Sequence, residues 1–166
     1  MQVPATTDPA ATLEQAIEQA LPGQRGLEAW RALLRAHATI IRELATDLAM
    51  RTRLPLGDFD VLVQLALAGG ELRMTDLATK AFSSRSAMTR RVDRMIREGL
   101  LRRTRSEADG RGVVIALTEA GLTRLTDAVP VHMEGVSKLF LERLDDGELA
   151  VIGRSLDRVS RDCSFG

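Results

Sequence analysis

Apolar positions recur at spacings of three and four along most of the chain, the period of helices that bury one face. Leu13, Ala16, Ile17 and Ala20 share one side of a short first helix, which Thr12 is expected to cap and Pro22-Gly23 to stop. Leu27, Trp30, Leu34, His37, Ile41, Leu44 and Leu48 then predict a long helix whose seam has one polar member. Leu33, Ile40 and Ala45 widen that stripe enough to require a partner helix, and Leu54-Pro55-Leu56-Gly57 ends it. Asp58 is expected to cap a packed helix carrying Phe59, Leu62, Val63, Leu65 and Ala66, broken by Gly69-Gly70. After the short extended stretch Glu71-Leu72-Arg73-Met74, Thr75 reads as the cap of a helix with Leu77, Ala78 and Ala81. Ser83 or Ser84 starts another, which runs to about Glu98 and stops at Gly99.

The period then falls to two. Leu101, Arg103 and Arg105 alternate with Arg102, Thr104 and Ser106, and the run Val113 to Leu117 is strongly β-prone, so a hairpin with a glycine-rich tip is expected between them. Thr118 would cap a further helix with the series Leu122, Leu125, Val129, Met133, Val136 and Phe140. Because that series persists across Pro130, the proline is expected to kink the helix rather than end it. Asp145-Asp146-Gly147-Glu148 has capping-box spacing for a final helix through about Arg161, with Leu149, Ile152, Leu156 and Val159 in its seam. The predicted fold is mainly α with a small β-hairpin.

Composition narrows the function. With 166 residues, 45% hydrophobic and 3% aromatic, the chain can bury one aliphatic core. Its apolar runs fall short of the roughly 18 residues of a membrane span, and Met1 to Pro22 lacks a signal-peptide pattern, so a cytoplasmic protein without membrane contact is expected. Cys163, the only cysteine, excludes an intramolecular disulfide and a cysteine metal cluster; it reads as the last apolar position of the final helix, with a redox role as the alternative. His37 and His132 read as polar members of helical seams, and two histidines without ligand-spaced partners make no metal site. No cofactor is expected, and no catalytic triad, phosphate loop or carboxylate pair points to an enzyme.

Zero net charge conceals an asymmetry. Residues 71–116 carry 11 basic and 6 acidic groups, against 6 and 8 in residues 1–70 and 6 and 9 in residues 117–166. On a helical wheel of residues 84–98, Met88, Val92, Met95 and Ile96 gather on one face, with Ser86, Arg90, Asp93, Arg94 and Arg97 opposite. Small hydroxyls near a helix start, here Ser84, Ser86 and Thr89, can approach base edges, while arginines (Arg85, Arg90, Arg94, Arg97) meet phosphates or guanine. Preceded by a short helix and a tight turn, this segment reads as helix-turn-helix. At the hairpin tip Arg111 sits between Gly110 and Gly112, which have no side chains to hold the backbone off a duplex, and a minor groove would attract its charge. Asp109 would repel phosphate, so its expected role is to fix a nearby arginine: Arg103, Arg105 or Arg111.

These residues resemble the MarR family of winged-helix transcriptional regulators. The resemblance spans roughly Leu27 to Arg161, and its most specific part is Asp109-Gly110-Arg111 followed by Val114, Leu117, Thr118 and Gly121, similar to the family's D-x-R…LT-x-x-G wing signature. It implies a winged helix-turn-helix over residues 54–117, dimerisation helices over 26–50 and 118–163, and an N-terminal extension with a short helix over 1–25. It also implies a homodimer on a pseudo-palindromic site of double-stranded DNA, acting as a repressor released by a small ligand. Independently of the resemblance, residues 27–48, 122–140 and 149–163 present more apolar helix face than one small winged helix can cover, which implies a dimer, with packing within the chain as the alternative. Trp30 and Asp60 resemble the Trp and Asp of urate-responsive members, which implies a small aromatic or heterocyclic ligand. A winged helix used for protein contacts, without specific DNA binding, is the alternative function.

Overall fold

The computed structural model of the protein describes residues 8–24, 26–80, 84–105 and 113–162. It forms two compact units, Met1–Ile40 and Ile41–Gly166.

In the first unit, helix α1 spans Pro9–Ala20. The Asp8 carboxylate caps it by accepting from the Ala10 N–H at 3.0 Å. Thr12, the expected cap, lies inside the helix and donates its hydroxyl to the Asp8 carbonyl. Asp8 wins because Pro9 follows it: the proline's fixed φ starts a helix, and its missing N–H costs nothing in the first turn. A 3-10 turn at Pro22–Gln24, with Gly23 at φ +70°, separates α1 from α2. Helix α2 spans Leu27–Thr52. Its early seam residues Trp30, Leu33 and Leu34 are exposed.

In the second unit, α2 buries Leu44 and Leu48. Helix α3, Leu56–Leu67, begins at Pro55, not at Asp58, which lies in its first turn and is almost completely buried. The chain then makes a three-residue strand β1, Glu71–Arg73, and passes directly into α4, Met74–Lys80, so Thr75 falls within the helix and is not its cap. Helix α5 spans Arg85–Arg97 and is capped by Ser84, whose hydroxyl accepts from the Ala87 N–H at 3.3 Å. Gly99 ends this segment at φ +77°, a left-handed conformation that favours glycine.

Strands β2, Leu101–Arg105, and β3, Val113–Leu117, pair antiparallel with Leu101 opposite Leu117. The extended stretch before α4 proves to be a third strand: β1 pairs with β3, Leu72 opposite Ile115, in the order β1-β3-β2. Leu62, Leu65, Leu77, Met88, Val92 and Ile115 are completely buried at the centre of an aliphatic core shared by α3, α4, α5 and the sheet. Fully burying a side chain of this kind contributes about 1.5–3 kcal/mol, so the core holds α5 firmly against its neighbours.

Helix α6, Glu119–Leu139, runs on through Pro130. Thr118 caps it, accepting from the Gly121 N–H at 3.0 Å. Helix α7, Asp146–Asp162, opens on a reciprocal capping box: the Glu148 N–H donates to Asp145 at 2.8 Å, and the Asp145 N–H donates to Glu148 at 2.9 Å. Along α6 and α7, Leu122, Met133, Val151, Leu156 and Val159 are exposed. Among the described residues these apolar side chains lack the cover that their periodicity calls for.

Candidate nucleic-acid interface

Helix α5 divides as its sequence requires. Met88, Val92 and Met95 are fully buried, while Ser86, Arg90 and Arg97 are exposed and Thr89 is half-buried. Ser84 and Ser86 stand at the N-terminus with hydroxyl oxygens 3.4 Å apart. That end of the helix carries partial positive charge from its unpaired N–H groups, favourable for an anionic phosphate. Arg97 leans back over the last turn, its Nε donating to the Asp93 carbonyl at 3.4 Å. Arg85 belongs to the first turn.

Arg94 departs from the face the wheel gave it. Its Nη2 donates to Oδ1 of buried Asp58 at 2.6 Å, and its Nη1 to Glu98 at 3.2 Å. The Asp58 bond raises the Arg94 guanidinium above its already high ordinary pKa, so the charge is permanent. Arg91, which the sequence reading did not single out, approaches the same Asp58 oxygen at 3.4 Å. Both arginines are one helical turn apart on the flank of α5, where a long side chain can reach α3; a wheel gives direction from the axis but not the position of the neighbour.

The wing meets this helix at a second ion pair. Arg103 of β2 donates to Asp93 of α5, so within the described residues the acid that engages Arg103 is Asp93. Arg102, on the other face of β2, is exposed. Asp109 and Arg111 lie outside the described residues, as does Cys163.

The base of the wing is tied to α6. Thr118 donates its N–H to the Leu100 carbonyl at 3.2 Å, and its hydroxyl lies 2.9 Å from the same oxygen. Gly121 packs so closely there that a Cβ would come 2.1 Å from that oxygen, which gives the glycine of the LT-x-x-G pattern its physical reason.

Asp60, on the outer side of α3, belongs to a small polar cluster. Loss of water around its carboxyl pushes the pKa up, against the opposing charges of His132 and Arg91. His132 stacks on Phe59 with ring centroids 4.6 Å apart, and its Nδ1 is buried with no hydrogen-bond partner in the described structure. Burial pulls its pKa down, and Asp60 partly offsets this. His132 is therefore a half-buried ring between α6 and α3, where the sequence suggested only a seam position. Trp30 lies in the first unit, 56% exposed.

A cleft of about 230 Å³ between α2 and α6 is lined by Glu43, Asp47, Arg51, Glu134 and Lys138. Both of its cations are paired: Arg51 meets Glu134 at 2.8 Å and Asp47 at 3.3 Å, and Lys138 meets Glu134 at 2.6 Å. Lys138 first, then Arg51, hold the Glu134 carboxyl down to about 2. Among the described residues no group of His, Cys, Asp and Glu could hold a metal ion, and no helix is long and apolar enough to cross a membrane.

A family model for MarR matches residues 52–112, from the last residue of α2 to the residue before β3. No curated protein matches at a significant level. Among solved structures, AbsC, a MarR family transcriptional regulator from Streptomyces coelicolor, is 30% identical with a TM-score of 0.74; the match covers 80% of this chain and 90% of that one. Sco3205, a MarR family regulator from the same organism solved in complex with DNA, is 28% identical with a TM-score of 0.74, covering 81% of this chain and 84% of that one. BldR, a transcriptional regulator from Sulfolobus solfataricus, is 27% identical with a TM-score of 0.70, covering 83% and 96%. Together with the three-stranded winged helix built on α3 to β3, the extent and identity of the AbsC match establish that the chain belongs to the MarR family of transcriptional regulators.

Proposed function

We propose that the protein is a homodimeric repressor that binds a pseudo-palindromic operator through two winged helices and releases it when a small ligand binds. The observation that carries the DNA reading is the outer face of α5: Ser86, Arg90 and Arg97 are exposed directly opposite the buried Met88, Val92 and Met95. In this reading Ser84, Arg85, Ser86 and Thr89 approach base edges, and Arg90 and Arg97 meet phosphates or guanine. Arg111 probes the minor groove from the wing tip, and Asp109 orients a neighbouring arginine. Arg94 serves from behind the interface, through Asp58. The DNA complex of Sco3205 supports the same use of the fold. The protein would act in the cytoplasm.

The exposed apolar residues of α6 and α7 support the dimer, since their combined face needs a second surface. Asp60 and Trp30 are each proposed as contacts for a small aromatic or heterocyclic ligand, to be tested by separate substitutions. The test of the DNA reading is binding to a palindrome upstream of the gene, measured against salt. Each phosphate contact should steepen the log–log slope by about 0.9. A salt-independent or undetectable interaction would instead favour a winged helix that binds protein. A stable monomer by light scattering at micromolar concentration would refute the dimer.

A further inference from the structure

We infer that Asp58 is a positioning residue for DNA recognition, a role that rests on the proposed operator binding: it fixes the seat of α5 on α3 by holding Arg91 and Arg94 in one ion-pair cluster. Asp58 is 1% exposed and sits in the first turn of α3, so its side chain cannot itself touch DNA. Yet its Oδ1 receives Arg94 at 2.6 Å and Arg91 at 3.4 Å. Its Oδ2 is buried without a hydrogen-bond partner among the described residues. A buried carboxylate so incompletely satisfied adds little to stability beyond what an apolar pair would give. What it supplies is direction.

The aliphatic contacts of Met88, Val92 and Met95 are non-directional and tolerate sliding or rotation of a helix. The Arg94 bond to Oδ1 does not, because a charge-assisted hydrogen bond is short and angular, and the Arg91 ion pair adds a second guanidinium on the same oxygen from the adjacent turn. The arrangement also demands room. A Cβ on Gly57 would lie 2.6 Å from Nη2 and 2.7 Å from Cζ of Arg91, so the absent side chain is what lets that guanidinium lie against the start of α3. Glu98 holds Arg94 from the other side at 3.2 Å. The cluster has a second effect: it engages two cations of α5 that would otherwise be free to grip phosphates of any sequence.

The test uses the full chain as its dimer, with operator and scrambled duplexes compared by fluorescence anisotropy across a salt series, and thermal unfolding followed alongside. In Asp58→Asn the expected result is an operator-to-scrambled affinity ratio reduced about tenfold, the scale of one lost base contact. Scrambled-DNA affinity should rise with a steeper salt slope as the arginines are freed. A purely structural carboxylate would leave that slope unchanged. The double variant Asp58→Leu with Arg94→Met replaces the pair by apolar groups and guards against simple unfolding; it should recover the melting temperature without recovering the ratio. A wild-type ratio in Asp58→Asn, or recovery of the ratio with the melting temperature in the double variant, overturns the inference. Absence of operator binding by the wild-type protein would instead defeat the DNA reading itself.

Discussion

Gly121→Ala sets two effects of known sign against each other. Gly121 lies in the first turn of α6, where alanine is the better helix former by about 0.5–1 kcal/mol. Helix propensity alone therefore predicts a gain. The added Cβ, however, would sit 2.1 Å from the Leu100 carbonyl oxygen and 2.9 Å from Leu117 Cδ1. A carbon and a carbonyl oxygen rest about 3.3 Å apart even in close contact, so the oxygen must retreat by roughly 1 Å. That same oxygen accepts from the Thr118 N–H at 3.2 Å and lies 2.9 Å from its hydroxyl. Overpacking of about 1–3 kcal/mol and a weakened cap of about 1 kcal/mol outweigh the propensity gain, leaving a net loss of about 2–3 kcal/mol. For a chain of this size the melting temperature should fall by about 5–10 °C. Thermal unfolding by far-ultraviolet circular dichroism measures it, with Gly135→Ala as the control in the same helix. There the Cβ would meet only Leu44 Cδ2, at 2.7 Å, the free end of a side chain that can turn aside. A Gly121→Ala melting temperature equal to or above wild type would refute the steric reasoning.

Asp145→Ala should cost about 1 kcal/mol, read as a drop of about 2–4 °C in melting temperature, because it removes one half of the α7 capping box. Leu62→Ala, at a fully buried position, should cost about 2–5 kcal/mol by denaturant unfolding. The His132 imidazole should titrate below its ordinary range by NMR, and Asp60→Asn should lower it further by removing the carboxylate that favours the charged ring. Since its folded pKa is depressed, folding loses stability as pH falls below the unfolded value near 6.5, where the unfolded chain takes up the proton first. The Glu134 carboxyl should stay ionised until about pH 2 and titrate higher in Lys138→Met. Arg90→Ala should weaken operator binding by about 1–3 kcal/mol and relax sequence preference at one position if the side chain reads a base.

Much of the fold was legible because its signals are local. Thr118, Ser84 and the Asp145/Glu148 box act within four residues of themselves, and the structure gives each the role its spacing predicts. The Met88, Val92, Met95 face followed from the helical period alone. Asp8 was a missed local signal: an acceptor before a proline outranks a threonine four residues on. Two other features could not be read locally. That Glu71-Leu72-Arg73 joins a sheet depends on β3, far along the chain. Asp58 looked like a cap because acids favour helix starts, whereas its burial and its arginines depend on how α5 crosses α3.

The pairing of Glu71 with Ala116 and Leu72 with Ile115 closes the loop that contains α4, α5 and β2. Closing so long a loop requires chain entropy to be lost before its own contacts can repay it, so this ladder belongs late on the folding route, after the helices have formed around the aliphatic core. Weakening β1 should therefore leave the folding rate nearly unchanged and accelerate unfolding. The short strand between α3 and α4 thus acts as a kinetic latch: it governs how long the winged helix stays closed once it has formed.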